Sequence, residues 1–198
     1  MKIGLFGGTF DPIHLGHVDM IEQLRASLSL DRVLFIPAYL PPHKDMHGRT
    51  AYEDRFAMTK LAVDGHAGFV VSDYESVRQT PSYTLCTVEH FKAVYPGDSL
   101  YTIMGVDSFN QIETWHQWQK LLTSANTVVI DRPGNTLRAS EETRAVLSES
   151  PCQVIHAPLH TLPISSTMIR ARLARGERVD VYLPEPVLTY IQAHHLYE

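Results

Sequence analysis

Two histidines, His14 and His17, stand three residues apart directly after a glycine turn, in the run Gly7-Gly8-Thr9-Phe10-Asp11-Pro12-Ile13-His14-Leu15-Gly16-His17. Two imidazoles facing one anion can polarise it while its charge builds in a transition state. A helix beginning near His14 would put both rings on one face through their i, i+3 spacing. An HxxH pair by itself reads as two surface or half-buried histidines, or as part of a metal site, because His is the commonest metal ligand. The loop supplies no Cys and no third ligand at a standard spacing, so the glycine context favours phosphate over zinc and no protein metal ligand is assigned.

The elements around the turn must aim these rings. Ile3-Gly4-Leu5-Phe6 before it is a short apolar run that reads as a strand, and the apolar positions Val18, Ile21 and Leu24 after it suit a helix packed on one side. Strand, glycine turn and helix together describe the crevice beyond the carboxyl ends of a parallel sheet, where glycines admit a close approach and a helix N-terminus favours phosphate.

Further strands are expected over 32–37, 69–72, 99–104, 126–130 and 153–156. The second is followed by Pro41-Pro42-His43-Lys44, where Lys44 is either a solvated loop lysine or a mobile charge for phosphates. Thr50 is expected to open a helix with Tyr52, Phe56, Thr59 and Val63 inward, and Arg55 reads as a surface or rim residue. Backbone NH groups from Thr80 to Tyr83, before a helix carrying Leu85, Val88, Phe91 and Tyr95, could receive a carboxylate. Asp107, just past the fourth strand, suits either a ribose contact or a helix N-cap. Trp115 and Trp118 are each balanced between core packing and stacking on a ligand. Arg132 follows the fifth strand, where a guanidinium plane could stack on a base or contact phosphate. Ser140-Glu141-Glu142 is expected to open a short surface helix. Near the C-terminus, Ser165, Ser166 and Thr167 precede a helix with Arg170 one turn in, an anion cradle for a polyphosphate. Leu183-Pro184-Glu185-Pro186 then starts a terminal helix, about 184–195, read as structural.

Composition narrows the field. A chain of 198 residues with 44% hydrophobic and 20% charged residues suits one α/β domain spanning 1–198. A net charge of −5 with no basic stripe argues against polynucleotide partners. Cys86 and Cys152 lie far apart without a CxxC; one disulfide is open, with free buried thiols in a reducing compartment favoured. No stretch resembles a signal-peptide core or a membrane span, so the cytoplasm is the expected location.

Taken together, GGTFDPIHLGH at 7–17, PPHK at 41–44, PSYT at 81–84, GVDS at 105–108 with Trp115, RPG at 132–134 and ISSTMIR at 164–170 resemble the bacterial nicotinate-nucleotide adenylyltransferases. The first and last motifs are shared across the HxGH nucleotidylyltransferase superfamily. The resemblance implies a Rossmann-like, doubly wound, mostly parallel sheet with helices on both faces. It also implies adenylyl transfer from ATP to nicotinate mononucleotide by direct in-line attack, giving deamido-NAD and pyrophosphate. His14, His17, Lys44 and Arg170 would then serve catalysis. ATP would meet Gly7, Gly8, Thr9, Phe10, His17, Asp107, Arg132, Ser165, Ser166 and Thr167, and nicotinate mononucleotide would meet His43, Lys44, Thr80, Tyr83, Trp115 and His116. On this reading Trp115 stacks and Trp118 is core. Mg²⁺ would ride on the ATP phosphates. The implied partners are these two nucleotides, without polynucleotide or membrane, and a homo-oligomer is compatible with the sequence. Phosphopantetheine adenylyltransferases and glycerol-phosphate cytidylyltransferases also use HxGH but lack the PPHK, PSYT and Trp115 set, and a non-catalytic nucleotide-binding module would not need both histidines, Lys44 and Arg170. One departure is Ala38, where family members often carry Asn.

Overall fold

The computed structural model describes residues 1–40, 50–78, 81–131, 136–159 and 161–198. Its centre is a six-stranded sheet of order β3-β2-β1-β4-β5-β6, formed by β1 (Lys2–Gly8), β2 (Arg32–Pro37), β3 (Phe69–Val71), β4 (Ser99–Gly105), β5 (Asn126–Ile130) and β6 (Val154–Ala157). Every pairing is parallel, with Phe6 opposite Phe35 on one side and Ile103 on the other. The strand order reverses between β1 and β4, and a doubly wound sheet opens a ligand crevice at that switch point, beyond the carboxyl ends.

The continuous apolar strands are explained by burial on both faces. Alternate residues serve opposite cores: Phe6, Val33, Phe35, Ile103, Val128 and Ile130 point to one, and Ile3, Leu5, Leu34, Ile36, Met104 and Val129 to the other. The first core is closed by α1 (Leu15–Leu28), α2 (Tyr52–Val63), α8 (Ser166–Leu173) and α9 (Glu185–Ala193). The second is closed chiefly by α4 (Thr84–Val94), α5 (Val106–Phe109) and α6 (Trp118–Ser124), with α3 (Tyr74–Arg78) and α7 (Glu141–Ser148) beside them. On α1, Val18, Ile21 and Leu24 are all buried, as their spacing predicts; burying side chains of this size contributes about 1.5–3 kcal/mol each.

Two expectations change. Helix α2 starts at Tyr52 with Ala51 at its N-cap rather than at Thr50, and its buried side is Arg55, Met58, Thr59, Ala62 and Val63. Tyr52 and Phe56 are only half-buried, because Arg55 takes the inward position between them. Arg55 is therefore no rim residue: it is 1% exposed. Cys86 and Cys152 are both unbridged and half-buried, and no described helix is long and apolar enough to cross a membrane.

Candidate active site

The turn after β1 is built around aromatic packing. Phe10, in the left-handed region at φ 48°, lies over Gly8 so closely that a Cβ there would fall 2.6 Å from the Phe10 ring. Gly8 thus makes room for Phe10. Over Gly7 nothing comes within 4 Å, so the space above it is open. Phe10 and Ile13 anchor the turn in the first core at 3% and 0% exposure, and the Phe10 ring meets the His17 ring edge-on at 5.3 Å.

His14 is the N-cap of α1 and His17 its third residue, so the expected i, i+3 pair sits astride the helix start. The rings stack, with centroids 3.7 Å apart and planes 21° from parallel. The His14 amide donates to His17 Nδ1 at 3.3 Å, which leaves the proton of a neutral His17 ring on Nε2. Gly16 leaves room for this stack: a Cβ there would sit 3.1 Å from His14 Nδ1, so the ring would have to give by a few tenths of an ångström.

The C-terminal part of the chain meets the same turn. Ser165 caps α8 by accepting the Met168 amide, Ser166 Oγ donates to the Pro12 carbonyl at 2.9 Å, and Arg170 Nη1 donates to the Asp11 carbonyl at 2.6 Å. Arg170 Nη2 reaches Thr167 Oγ1 at 3.5 Å. The serine-threonine tip and the histidine turn, joined by bonds that span 154 and 159 residues of sequence, are one hydrogen-bonded unit, and the Ser166 proton is committed to holding them together. What remains for an anion is the helix-start amides with the Ser165 and Thr167 hydroxyls.

The remaining predicted residues divide. Asp107 is exposed in the first turn of α5. Gly105 occupies the N-cap there, so Asp107 is not the capping residue. Tyr83 stacks on His116 with centroids 4.4 Å apart; Trp115 is half-buried against the second core, and Trp118 lies inside it at 7% exposure. The amides of Ser82 and Tyr83 donate to the carbonyls of Leu40 and Pro81. Thr80, His43, Lys44 and Arg132 lie outside the described residues.

The profile of the cytidylyltransferase-like family matches residues 5–172, from the first strand to the far end of α8. The chain is 40% identical over 212 aligned positions to a probable nicotinate-nucleotide adenylyltransferase of a Shewanella species (strain MR-4), covering 100% of this chain and 99% of the relative. The chain belongs to the nicotinate-nucleotide adenylyltransferase family. A similar member of that family, from Citrifermentans bemidjiense, is 38% identical and spans 100% of this chain and 98% of its own. At the level of fold, a Plasmodium falciparum nicotinic acid mononucleotide adenylyltransferase complexed with NaAD matches with a TM-score of 0.78, at 20% identity over 99% of this chain and 97% of that one.

Two buried charges behind this nicotinate-nucleotide adenylyltransferase site escape a reading of motifs. Arg55 Nη1 donates to the Thr9 and Ala38 carbonyls at 2.7 and 2.8 Å, and its Nε to the Thr50 carbonyl at 3.1 Å. One guanidinium thus ties the ends of β1 and β2 to the start of α2. It also fixes the backbone at Ala38, where the family often has Asn. Glu75 is 8% exposed; its Oε2 accepts the Tyr39 amide and its Oε1 the Thr87 hydroxyl, each at 3.2 Å. Burial pushes its carboxyl above the usual carboxylate range, against hydrogen bonds from Ser82, Tyr39 and Thr87 and the charge of Arg78. The only sequence signal for either is a charge at an inward helical position, which pattern reading assigns to solvent.

Proposed function

We propose that adenylyl transfer to nicotinate mononucleotide takes place in this chain at the stacked His14 and His17 pair, by in-line attack of the mononucleotide phosphate on the α-phosphorus of ATP. One P–O bond forms, the α–β bridging P–O bond breaks, and pyrophosphate leaves. The observation that carries this reading is the joining of two anion-seeking elements: the histidine turn and the tip of α8 share hydrogen bonds to Asp11 and Pro12. Groups fixed in this way can meet charge as it develops without having to reorganise.

In this reading His14 and His17 stabilise the charge on the transferring phosphoryl group, with Gly7, Gly8, Thr9 and Phe10 supplying the backbone floor. Ser165, Ser166, Thr167 and Arg170 bracket the leaving pyrophosphate, Ser166 through the loop it holds. Asp107 takes the adenosine ribose and Arg132 the adenine. Trp115 stacks on the nicotinate ring, beside Tyr83, while backbone NH groups near Thr80 and His116 receive its carboxylate and His43 and Lys44 approach the phosphates.

Mg²⁺ belongs to this reaction as the counter-ion of ATP, neutralising charge on the phosphate oxygens. Among the described residues no three His, Cys, Asp or Glu converge to hold a metal. Asp11, the acid of the turn, accepts the Tyr197 phenol. We place the reaction in the cytoplasm. A pyrophosphate-release assay with ATP tests the proposal: nicotinate mononucleotide should be turned over well above nicotinamide mononucleotide, and phosphopantetheine should give none. Release with phosphopantetheine, or none with nicotinate mononucleotide, would overturn it.

A further inference from the structure

We propose that Tyr197 is a positioning residue of the histidine turn: its phenol holds the Asp11 carboxylate, and through Asp11 it sets the backbone that presents His14 and His17. The C-terminal segment, α9 with the turn that follows it, which pattern reading makes purely structural, would then extend the active site. Tyr197 Oη donates to Asp11 Oδ1 at 2.7 Å across 186 residues of sequence. Asp11 is 1% exposed, and a carboxylate so deeply buried is costly unless donors surround it. From the C-terminal segment the Tyr197 phenol donates to one oxygen, and the Arg170 guanidinium lies 4.0 Å from the other as an ion pair, its Nη1 hydrogen-bonded to the Asp11 carbonyl. Three residues on, His14 begins α1.

The phenol is delivered by a chain of specific contacts. Helix α9 buries Val187 and Ile191 in the first core, and Tyr190 Oη donates to Asp54 on α2 at 2.9 Å. The Leu196 amide returns to the Ile191 carbonyl, and Tyr197 takes the left-handed region at φ 68°, which turns the side chain back toward the fold. The groups around the phenol are Asp11, Arg170 and the Thr50 hydroxyl; burial and then the Asp11 charge push its pKa upward, so the hydroxyl remains a donor. Elsewhere the same segment supplies the Tyr182 carbonyl that accepts the Leu15 amide at 2.9 Å, so both flanks of His14 are fixed from the C-terminal side.

This inference rests on the proposed reaction, and the wild-type turnover of ATP with nicotinate mononucleotide tests that reaction separately. Tyr197→Phe keeps the ring and removes only the donor. The expected result is a kcat lowered about tenfold or more, with the KM for nicotinate mononucleotide little changed, as for a slight misplacement of reacting groups. The imidazole ¹⁵N signals of His14 and His17 should shift in the same variant. Because the hydroxyl acts through Asp11, the Asp11→Asn, Tyr197→Phe double variant should be no slower than Asp11→Asn alone. A Tyr197→Phe protein with wild-type kcat and unshifted imidazole signals, even if less heat-stable, would overturn the proposal, as would multiplicative kcat losses in the double variant. If Asp11→Asn does not fold, the kcat and imidazole signals of Tyr197→Phe decide alone.

Discussion

The two mouths of the crevice are built differently. At the histidine turn, the carbonyls of Thr9, Asp11, Pro12 and Ala38 each accept a side-chain donor from a distant part of the chain, namely Arg55, Arg170, Ser166 and again Arg55. At the other mouth Tyr83 and His116 lean on each other, His116 is exposed, and support comes from behind, through Glu75 and the exchange of hydrogen bonds between Leu40 and Ser82. The first arrangement suits groups that must be in place before charge develops. The second suits recognition of a flat ring, where stacking tolerates small adjustments. Damage at the turn should therefore appear in stability and kcat, and damage at the other mouth in KM.

The largest effect is expected at the buried guanidinium. Arg55→Met leaves three backbone carbonyls without their donor and should cost about 3 kcal/mol of unfolding free energy, since each buried unsatisfied group costs about 1–3. Urea denaturation measures it, and a loss under about 1 kcal/mol would show that the two strand ends are held by other means. Next, His14→Ala and His17→Ala should each lower kcat by roughly 10²-fold with the fold retained, by analogy with loss of one charge-stabilising donor. Steady-state kinetics at saturating ATP would expose the error if either variant kept wild-type turnover.

Trp115→Ala should raise the KM for nicotinate mononucleotide about tenfold while that for ATP stays within about twofold, the scale of one lost stacking contact. Equal effects on both substrates would break the division between the two mouths. The smallest effect belongs to Glu75. Its folded carboxyl titrates above its unfolded value, near 4.3, so between the two the folded state binds more protons. Stability is then fully present below the lower value and falls as pH rises through the raised one. Glu75→Gln should flatten that part of the dependence of Tm on pH; parallel curves for the two proteins would mean that the carboxyl is not the source.

How much of this was legible in the sequence follows from the reach of each signal. The strand, turn and helix around His14 were readable because every determinant lies within about two turns of helix: apolar periodicity, glycines and histidines at fixed offsets. The β2 strand at 32–37 was readable for the same reason; the residues alone left Trp118 balanced between core and ligand, and only the family resemblance put it in the core, where it is 7% exposed. Arg55, Glu75 and Tyr197 were not readable, because their partners Thr9, Tyr39 and Asp11 lie 46, 36 and 186 residues away. A charged residue on a helix is assigned to solvent unless a distant carbonyl or amide claims it. Gly8 shows a subtler limit: the motif marks a glycine for close approach, and the group that approaches is the Phe10 ring.

The central claim is that the histidine turn and the tip of α8 grip one triphosphate between them. A crystal structure with a non-hydrolysable ATP analogue and Mg²⁺ tests it directly. Phosphate oxygens should lie within about 3.2 Å of a ring nitrogen of His14 or His17 and, in the same molecule, of the amides or hydroxyls of Ser165 to Thr167. A triphosphate bound to one of these elements while the other faces away would contradict the account.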